Sequence, residues 1–262
     1  MRVFSLKSPS KIVSFIGAFL IVVSLMSNTN AQGFESIIQQ ALKYELALNE
    51  KAALLKFIEA QKMQPLNLDV LYKCSDLCGR IGNREKKSDS RNDYFASSMA
   101  YAKIAIKQYP NSDVSNVAMA IVLGHIALAK SPKEKVSIVI DIKKYAEKAI
   151  RYNSSNAIAW HILGKWYYEV SDLNFFEKMA LKIMYSDLPN ASFGDAIKYF
   201  EKARSLDKDF MLNYFELAKS YLKNNQKSKA KIVLSEVLKL GYKTEDDILI
   251  KKEADKLLNS LN

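Results

Sequence analysis

The chain is poor in the residues that bind metals and form disulfides. It has two histidines and two cysteines in 262 residues, and no H-E-x-x-H or comparable metal spacing occurs. The histidines, His125 and His161, are far apart in the sequence. Cys74 and Cys78 lie on one face of a predicted helix, which is poor geometry for a disulfide. We predict no metal, no cofactor and two small buried thiols, with a redox role for the thiols as the alternative.

Motifs of nucleophilic and phosphate-binding sites are also missing. The sequence has no G-x-S-x-G nucleophile elbow, no Walker loop and no G-x-G-x-x-G turn. Its acidic residues are scattered beside lysines, as on solvated helix faces. A Cys–His nucleophile is a formal alternative, but the repeat positions of the cysteines predict that they are buried. We therefore predict a protein that is not an enzyme and has no catalytic residues.

Residues that break helices are scarce. The chain has eight glycines and five prolines, and hydrophobic residues make up 49% of it. This composition favours an all-α fold. The net charge of +11 favours anionic partners such as acidic proteins or phospholipid headgroups. A solvated lysine-rich surface is the simpler interpretation, and the export predicted below argues against nucleic acid.

The first 31 residues form a separate piece. Basic residues precede an uncharged apolar run at 12–26, and Thr29 and Ala31 fit a cleavage site. This arrangement is typical of a secretory signal peptide, and the run is short for a membrane-spanning helix. We predict a signal peptide at 1–31, export to the periplasm or the medium, and a folded domain at 32–262. A membrane anchor formed by an uncleaved N-terminal segment is the alternative.

A recurring pattern of large and small residues is the strongest feature of the remaining chain. One copy reads W-x2-L-G-x2-Y and then A-x3-F-x2-A, at Trp160, Leu163, Gly164, Tyr167, Ala196, Phe200 and Ala203. The next copy stands at Tyr214, Leu217, Ala218, Tyr221, Ala230, Leu234 and Val237. These residues resemble the tetratricopeptide repeat (TPR), a helix–turn–helix unit with a period of about 34 residues. Such units stack because one unit cannot bury its own apolar face.

Weaker copies upstream extend the pattern to about five units of an α-α superhelix. The fourth unit contains an insertion, and apolar residues at three- and four-residue steps predict an amphipathic helix at about 172–188. We expect this helix to pack as a plug; closing an apolar pocket or resting on a membrane surface are alternatives. A capping helix is predicted at about 244–261, with Thr244 as its N-cap.

The C-terminal half resembles a particular family of such proteins. The segments "AWHILGKWYYEV", "FFEK", "AIKYFEKARSLD" and "TEDD…KKEA" are similar to the regulator of microtubule dynamics family. The resemblance implies a helical TPR fold and protein-interaction roles, and in some eukaryotic members a membrane anchor and lipid binding. It supplies no catalytic residues. The predicted export argues against a role on microtubules.

The TPR register also predicts a binding groove on the concave surface. Repeat positions 2, 5, 9 and 12 of the last two units are Ile158, His161, Lys165, Tyr168, Leu212, Phe215, Lys219 and Leu222. The groove is mixed apolar and basic. We predict an exported scaffold that binds a peptide or partner protein there. The alternative is a carrier of a lipid-like ligand, or a membrane-contact protein, that uses the apolar groove and the inserted helix.

Overall fold

The computed structural model describes residues 32–128, 130, 132–184 and 190–261, and every regular element among them is an α-helix. The predicted signal peptide at 1–31 lies outside the described residues. In chain order the helices are α1 (32–46), α2 (Glu50–Met63), α3 (Leu68–Arg84), α4 (Ser88–Gln108), α5 (Asp113–Leu128), α6 (Pro132–Tyr152), α7 (Ala157–Asp172), α8 (Phe175–Met184), α9 (Phe193–Leu206), α10 (Met211–Lys223), α11 (Lys227–Val237) and α12 (Asp246–Ser260).

The helices pack as successive pairs. α3 packs on α4, α5 on α6, α7 on α9, and α10 on α11. The first helices of the pairs also contact one another, in the order α3, α5, α7, α10 and finally α12. We call these five helices the first-helix row. The predicted all-α superhelix of TPR-like pairs is confirmed, and the cap is α12.

Polar side chains begin several of these helices. Asn49, Asn67, Asn156 and Ser192 each accept a hydrogen bond from a backbone N–H in the first turn that follows. Such caps satisfy amides that have no partner within the helix, and each contributes about 1 kcal/mol. At the start of α12 the hydroxyl of Thr244 accepts from the backbone N–H of Asp247 at 3.3 Å. The short turns between helices are therefore specified locally.

The core depends on small residues that face large ones. Phe200 of α9 is fully buried, and Ala196 and Ala203 on the same helix are 0% exposed. A Cβ atom placed on Gly164 of α7 would stand 2.8 Å from Cδ1 of Phe200. The glycine thus lets α7 and α9 approach closely enough for the phenylalanine ring to fill the space between them.

The two cysteines are buried in α3. Cys74 and Cys78 are 0% and 2% exposed, and both thiols are free. Burial raises the pKa of each thiol to about 12, so neither is a reactive thiolate at neutral pH. The predicted packing role of these two residues is confirmed.

None of the helices described above is both long and apolar enough to cross a lipid bilayer.

The contact between Gly164 and Phe200 makes a testable prediction. Substituting Gly164→Ala places a methyl group against the ring, and we expect the free energy of unfolding to fall by about 1–3 kcal/mol. Gly124 occupies the matching position of α5 and has open space where its Cβ would be. Gly124→Ala should therefore leave stability unchanged or raise it by up to about 1 kcal/mol. Urea denaturation of both variants measures the difference, and equal effects would contradict the packing argument.

Candidate functional site

The predicted groove residues lie on α7 and α10, two neighbours in the first-helix row. Five of the eight reach the surface at least in part: Leu212 is 37% exposed, the Lys165 and Lys219 side chains are 38% and 31% exposed, and Ile158 and Leu222 are half-buried against the core. The other three, His161, Tyr168 and Phe215, are at most 8% exposed. A partner on this face therefore meets the two lysines and the leucines, with the aromatic rings beneath them.

His161 is a packing residue. Its ring lies between Phe200 and Phe210, with centroid distances of 5.4 and 4.7 Å. The amide nitrogen of Asn213 donates to the Phe200 carbonyl at 2.9 Å, so its oxygen faces His161 and accepts from Nδ1–H at 3.1 Å. Burial lowers the pKa of His161 to about 4. The residue is therefore a neutral core histidine at physiological pH, and the groove does not include it as a surface contact.

A buried carboxylate joins the two lysines of the face. The Nζ of Lys165 lies 3.0 Å from Oε2 of Glu216, and the Nζ of Lys219 lies 3.1 Å from Oε1. The Glu216 side chain is 8% exposed. Its burial acts to raise its pKa, but Lys165 and Lys219 outweigh burial and the pKa is lowered. Glu216 is thus ionised, and it holds two ammonium groups side by side.

Aromatic rings lie beneath the same two lysines. The Nζ atoms of Lys165 and Lys219 are 5.3 and 5.4 Å from the centroid of the Tyr168 ring. Lys219 is also 5.5 Å from the ring of Phe215. These distances allow cation–π attraction, which restricts where the ammonium groups can move. We call the group of Lys165, Lys219, Glu216, Tyr168 and Phe215 the two-lysine cluster.

Glu216 was not among the predicted groove residues. The register assigned positions 2, 5, 9 and 12 to the surface, and Glu216 is at position 6, between the buried Phe215 and Leu217. One signal was available: Glu216 and Lys219 have the i, i+3 spacing at which opposite charges meet on a helix. A further ion pair joins the same two helices: the Nζ of Lys223 on α10 lies 2.6 Å from Oδ1 of Asp172 on α7.

The inserted helix α8 spans Phe175–Met184, so it begins three residues later than predicted, and residues 185–189 lie outside the described residues. Asn174 and Glu177 accept from each other's backbone N–H at 3.0 Å and so cap its start. Leu181 is 3% exposed, whereas Met179 and Ile183 are 47% and 79% exposed. Two residues of the apolar stripe assigned to a plug, Met179 and Ile183, therefore face solvent.

Among the described residues, no group of three or more histidine, cysteine or acidic side chains could hold a metal ion. The two-lysine cluster presents ammonium groups and rings, which can bind a carboxylate or an apolar side chain by contact alone.

The sequence profile of the family described as regulator of microtubule dynamics protein 1-3 matches residues 37–262. The chain belongs to this family. It is 27% identical to regulator of microtubule dynamics protein 1 of Mus musculus over 255 residues, covering 90% of this chain and 84% of that protein. The Caenorhabditis elegans protein of the same name is 22% identical and covers 74% and 85%. The family resemblance predicted for the C-terminal half is confirmed and extends through the folded part.

Solved structures support the fold. A thermophilic TPR protein from Thermus thermophilus superposes with a TM-score of 0.61 at 13% identity, covering 85% of this chain and 99% of that one. Yeast Tom70 superposes with a TM-score of 0.50 at 14% identity, covering 98% and 44%. At these identities the likeness shows the TPR-like architecture alone. Neither the family description nor these structure titles denote a class of enzyme.

The predicted export is wrong. The matched relatives are animal proteins named for microtubule dynamics, and microtubules are polymers of the cell interior. A periplasmic or secreted location does not agree with that family. The N-terminal pattern of basic residues, apolar run and small residues misled the prediction, because it describes the local chemistry of a segment rather than the compartment in which the whole protein works.

The burial of His161 predicts a pH dependence of stability. Its folded pKa is below the ordinary value of 6.5, so between these two values the unfolded chain binds a proton that the folded chain does not. Stability should therefore fall as the pH decreases through this window. His161→Gln should reduce the loss in unfolding free energy between about pH 7 and about pH 5. His125, whose pKa burial also lowers to about 4, supplies the remaining dependence in that variant.

NMR titration of the histidine ring protons checks the same point directly. His161 should keep its neutral chemical shifts down to about pH 5. A midpoint near the ordinary histidine value would show that the ring is solvated and would contradict its placement in the core.

Proposed function

We propose that this protein is a non-catalytic scaffold that binds an extended segment of a partner protein across the α7–α10 face. The observation that carries the proposal is the two-lysine cluster. Two ammonium groups stand side by side on a rigid pair of helices, and the partly exposed Leu212 lies on α10 about two turns before Lys219. A preordered surface of this kind binds a flexible segment without first having to order itself.

The cluster favours an acidic partner. Each ammonium group has three N–H donors. Lys165 pairs with Glu169 at 2.9 Å as well as with Glu216, and Lys219 contacts both oxygens of Glu216, so each lysine keeps one donor for an incoming carboxylate. A charge-assisted hydrogen bond to such a carboxylate is stronger than a neutral one. The net charge of +11 adds a long-range attraction for acidic chains. We expect the bound segment to place a carboxylate at the lysines and an apolar side chain at Leu212.

Selection from a displayed library of random peptides against the full chain tests this proposal. Selected peptides, remade synthetically, should bind with an affinity that falls at least about tenfold in Lys219→Glu and Leu212→Asp, which corresponds to about 1.4 kcal/mol. Both positions are partly exposed, but Lys219 also pairs with the buried Glu216, so Lys219→Gln is measured beside Lys219→Glu to remove the ammonium group without adding a second carboxylate. Isothermal titration calorimetry gives the affinities, and circular dichroism checks the helices.

Matched substitutions on α11 serve as controls. Ile232 is 60% exposed on that helix, so Ile232→Asp introduces the same charge on an exposed apolar residue away from the face. Binding that is lost equally in Leu212→Asp and Ile232→Asp would contradict the proposed site. A selection that yields no peptide dependent on Lys219 would contradict the proposed recognition of a carboxylate.

The family suggests the cellular process in which this scaffold takes part. The relatives are named as regulators of microtubule dynamics, and we propose that the partner of this chain belongs to the same process. Co-sedimentation of the full chain with polymerised tubulin tests a direct contact. Loss of co-sedimentation in Lys219→Glu, but not in Ile232→Asp, would place that contact on the α7–α10 face.

A lipid-like ligand is the second candidate, and the exposed face of α8 favours it. Met179 and Ile183 point their apolar side chains toward solvent, and Lys182 between them is exposed. An apolar helix face flanked by a cation suits contact with an anionic lipid surface. Flotation with vesicles that contain anionic lipid should then depend on Ile183, and Ile183→Asp should abolish it. Equal flotation of both proteins would contradict this candidate.

A further inference from the structure

The start of α2 meets the start of α12, far away in the sequence. The backbone N–H of Glu50, at the start of α2, donates to Oε1 of Glu245 at 2.8 Å. In return the backbone N–H of Glu245, at the start of α12, donates to Oε1 of Glu50 at 3.2 Å. Each glutamate therefore caps the helix that begins at the other, across 195 residues of sequence.

An arginine at the end of α3 completes this joint. Arg84 places Nη1 2.6 Å from Oδ1 of Asp246 and Nη2 3.3 Å from Oε2 of Glu245. The same guanidinium contacts Glu50, and Arg80 contacts Glu50 at 2.7 Å. We call these five residues the end joint. It links the first and last helices of the first-helix row, α3 and α12.

The end joint is polar. The apolar cluster of α1, α2 and α3 contains no residue of α12, and α12 instead contributes Ile250 and Ala254 to the cluster of the later helices. Ile248 and Leu249, beside the joint, are 52% and 58% exposed. The contact therefore lacks the apolar burial that normally makes a packed interface permanent.

Separation of the joint leaves no buried charge without a partner. Glu50 is 1% exposed, but both of its arginines belong to α3 and stay with it. The Glu245 and Asp246 side chains are already 30% and 31% exposed, so water can solvate them. Burial raises the pKa of Asp246, although its hydrogen bond with Arg84 and the charge of that guanidinium act in the opposite direction.

We propose that the end joint is a releasable closure: the protein alternates between a closed form, in which α3 and α12 are linked, and an open form, in which the first-helix row has two free ends. Opening gives a long partner segment access to the row from its ends. The closure concerns the contact of α2 and α3 with α12 and holds whether or not the α7–α10 face binds a peptide.

Salt should shift this equilibrium. The links that break on opening are partly exposed ion pairs and hydrogen bonds to carboxylates, and screening lengths fall from about 10 Å at 0.1 M salt to about 3 Å at 1 M. The apolar contacts within each helix pair are not weakened by salt in this way. High salt should therefore open the joint while the helices remain folded.

Distance measurement by double electron–electron resonance on the full chain tests the proposal. Spin labels at Leu46→Cys and Leu249→Cys report on the two sides of the joint, since these positions are 86% and 58% exposed. The buried native thiols, with pKa values near 12, should stay unlabelled. We expect a short distance at about 0.1 M salt and a second, longer population at about 1 M.

Charge reversal gives the decisive variant. Glu245→Lys with Asp246→Lys turns attraction to Arg84 into repulsion, and the longer distance should then dominate at low salt. Glu253→Lys with Asp255→Lys makes the same charge change on exposed residues of α12 away from the joint, and it should keep the short distance. Glu245→Gln with Asp246→Asn gives a milder opening if the reversal perturbs α12.

Three results would overturn the proposal. One is an unchanged short distance in the reversed-charge variant. Another is equal opening by the reversed-charge variant and its control. The third is loss of helicity or cooperative unfolding of the whole chain when the joint is broken, because that result would make the joint a fixed part of the fold.

Discussion

No helix pair of this chain can bury its own apolar face, and the whole structure follows from that constraint. Each pair must cover the next one, so the chain continues as a stack until α12 closes the last exposed face. Close approach between the helices requires small residues opposite large ones. Gly164 beneath Phe200 is the tightest described example in the fourth unit, and the alanines of α9 repeat the arrangement along the helix.

The charged surface of the α7–α10 face is a product of the same stacking. Contact between two first helices brings Lys165 and Lys219, from equivalent repeat positions, to either side of Glu216. Neither helix alone would hold the two ammonium groups together, since their mutual repulsion needs the buried carboxylate. Tyr168 and Phe215 pack in the core and also present their ring faces to the lysines. The two aromatic core residues therefore help to fix the positions of the lysine ammonium groups.

The sequence alone predicts the structural features that depend on residues close together in the chain. The fold class and the buried thiols follow from local spacing, whereas the N-cap of α12 is Glu245, one residue after the predicted Thr244. The burial of His161 does not follow from local spacing, because Phe210 and Asn213, which enclose it, come from the following unit. Glu216 was missed because the repeat register assigned only positions 2, 5, 9 and 12 to the groove, and Glu216 stands at position 6. The end joint was missed since it joins residues from opposite ends of the chain. The compartment was predicted wrongly because a short N-terminal pattern was given more weight than the family of the remaining chain.

The end joint also changes how a stack of repeats should fold and fray. In a linear array each pair touches only its neighbours, so the outermost pairs have one uncovered side and open first. Here the start of α2, in the first pair, and the start of α12, the last helix, accept each other's backbone N–H groups. Opening at either end is therefore coupled to the other, although the contacts within the stack are local. The joint has the largest sequence separation among the hydrogen bonds of the described chain. We expect it to form after the pairs it connects, because closing so long a loop is opposed by chain entropy until the stack has ordered the intervening residues. Fast assembly of the local helix pairs would thus be followed by one late step, the formation of the end joint, which links α12 to α2 and α3.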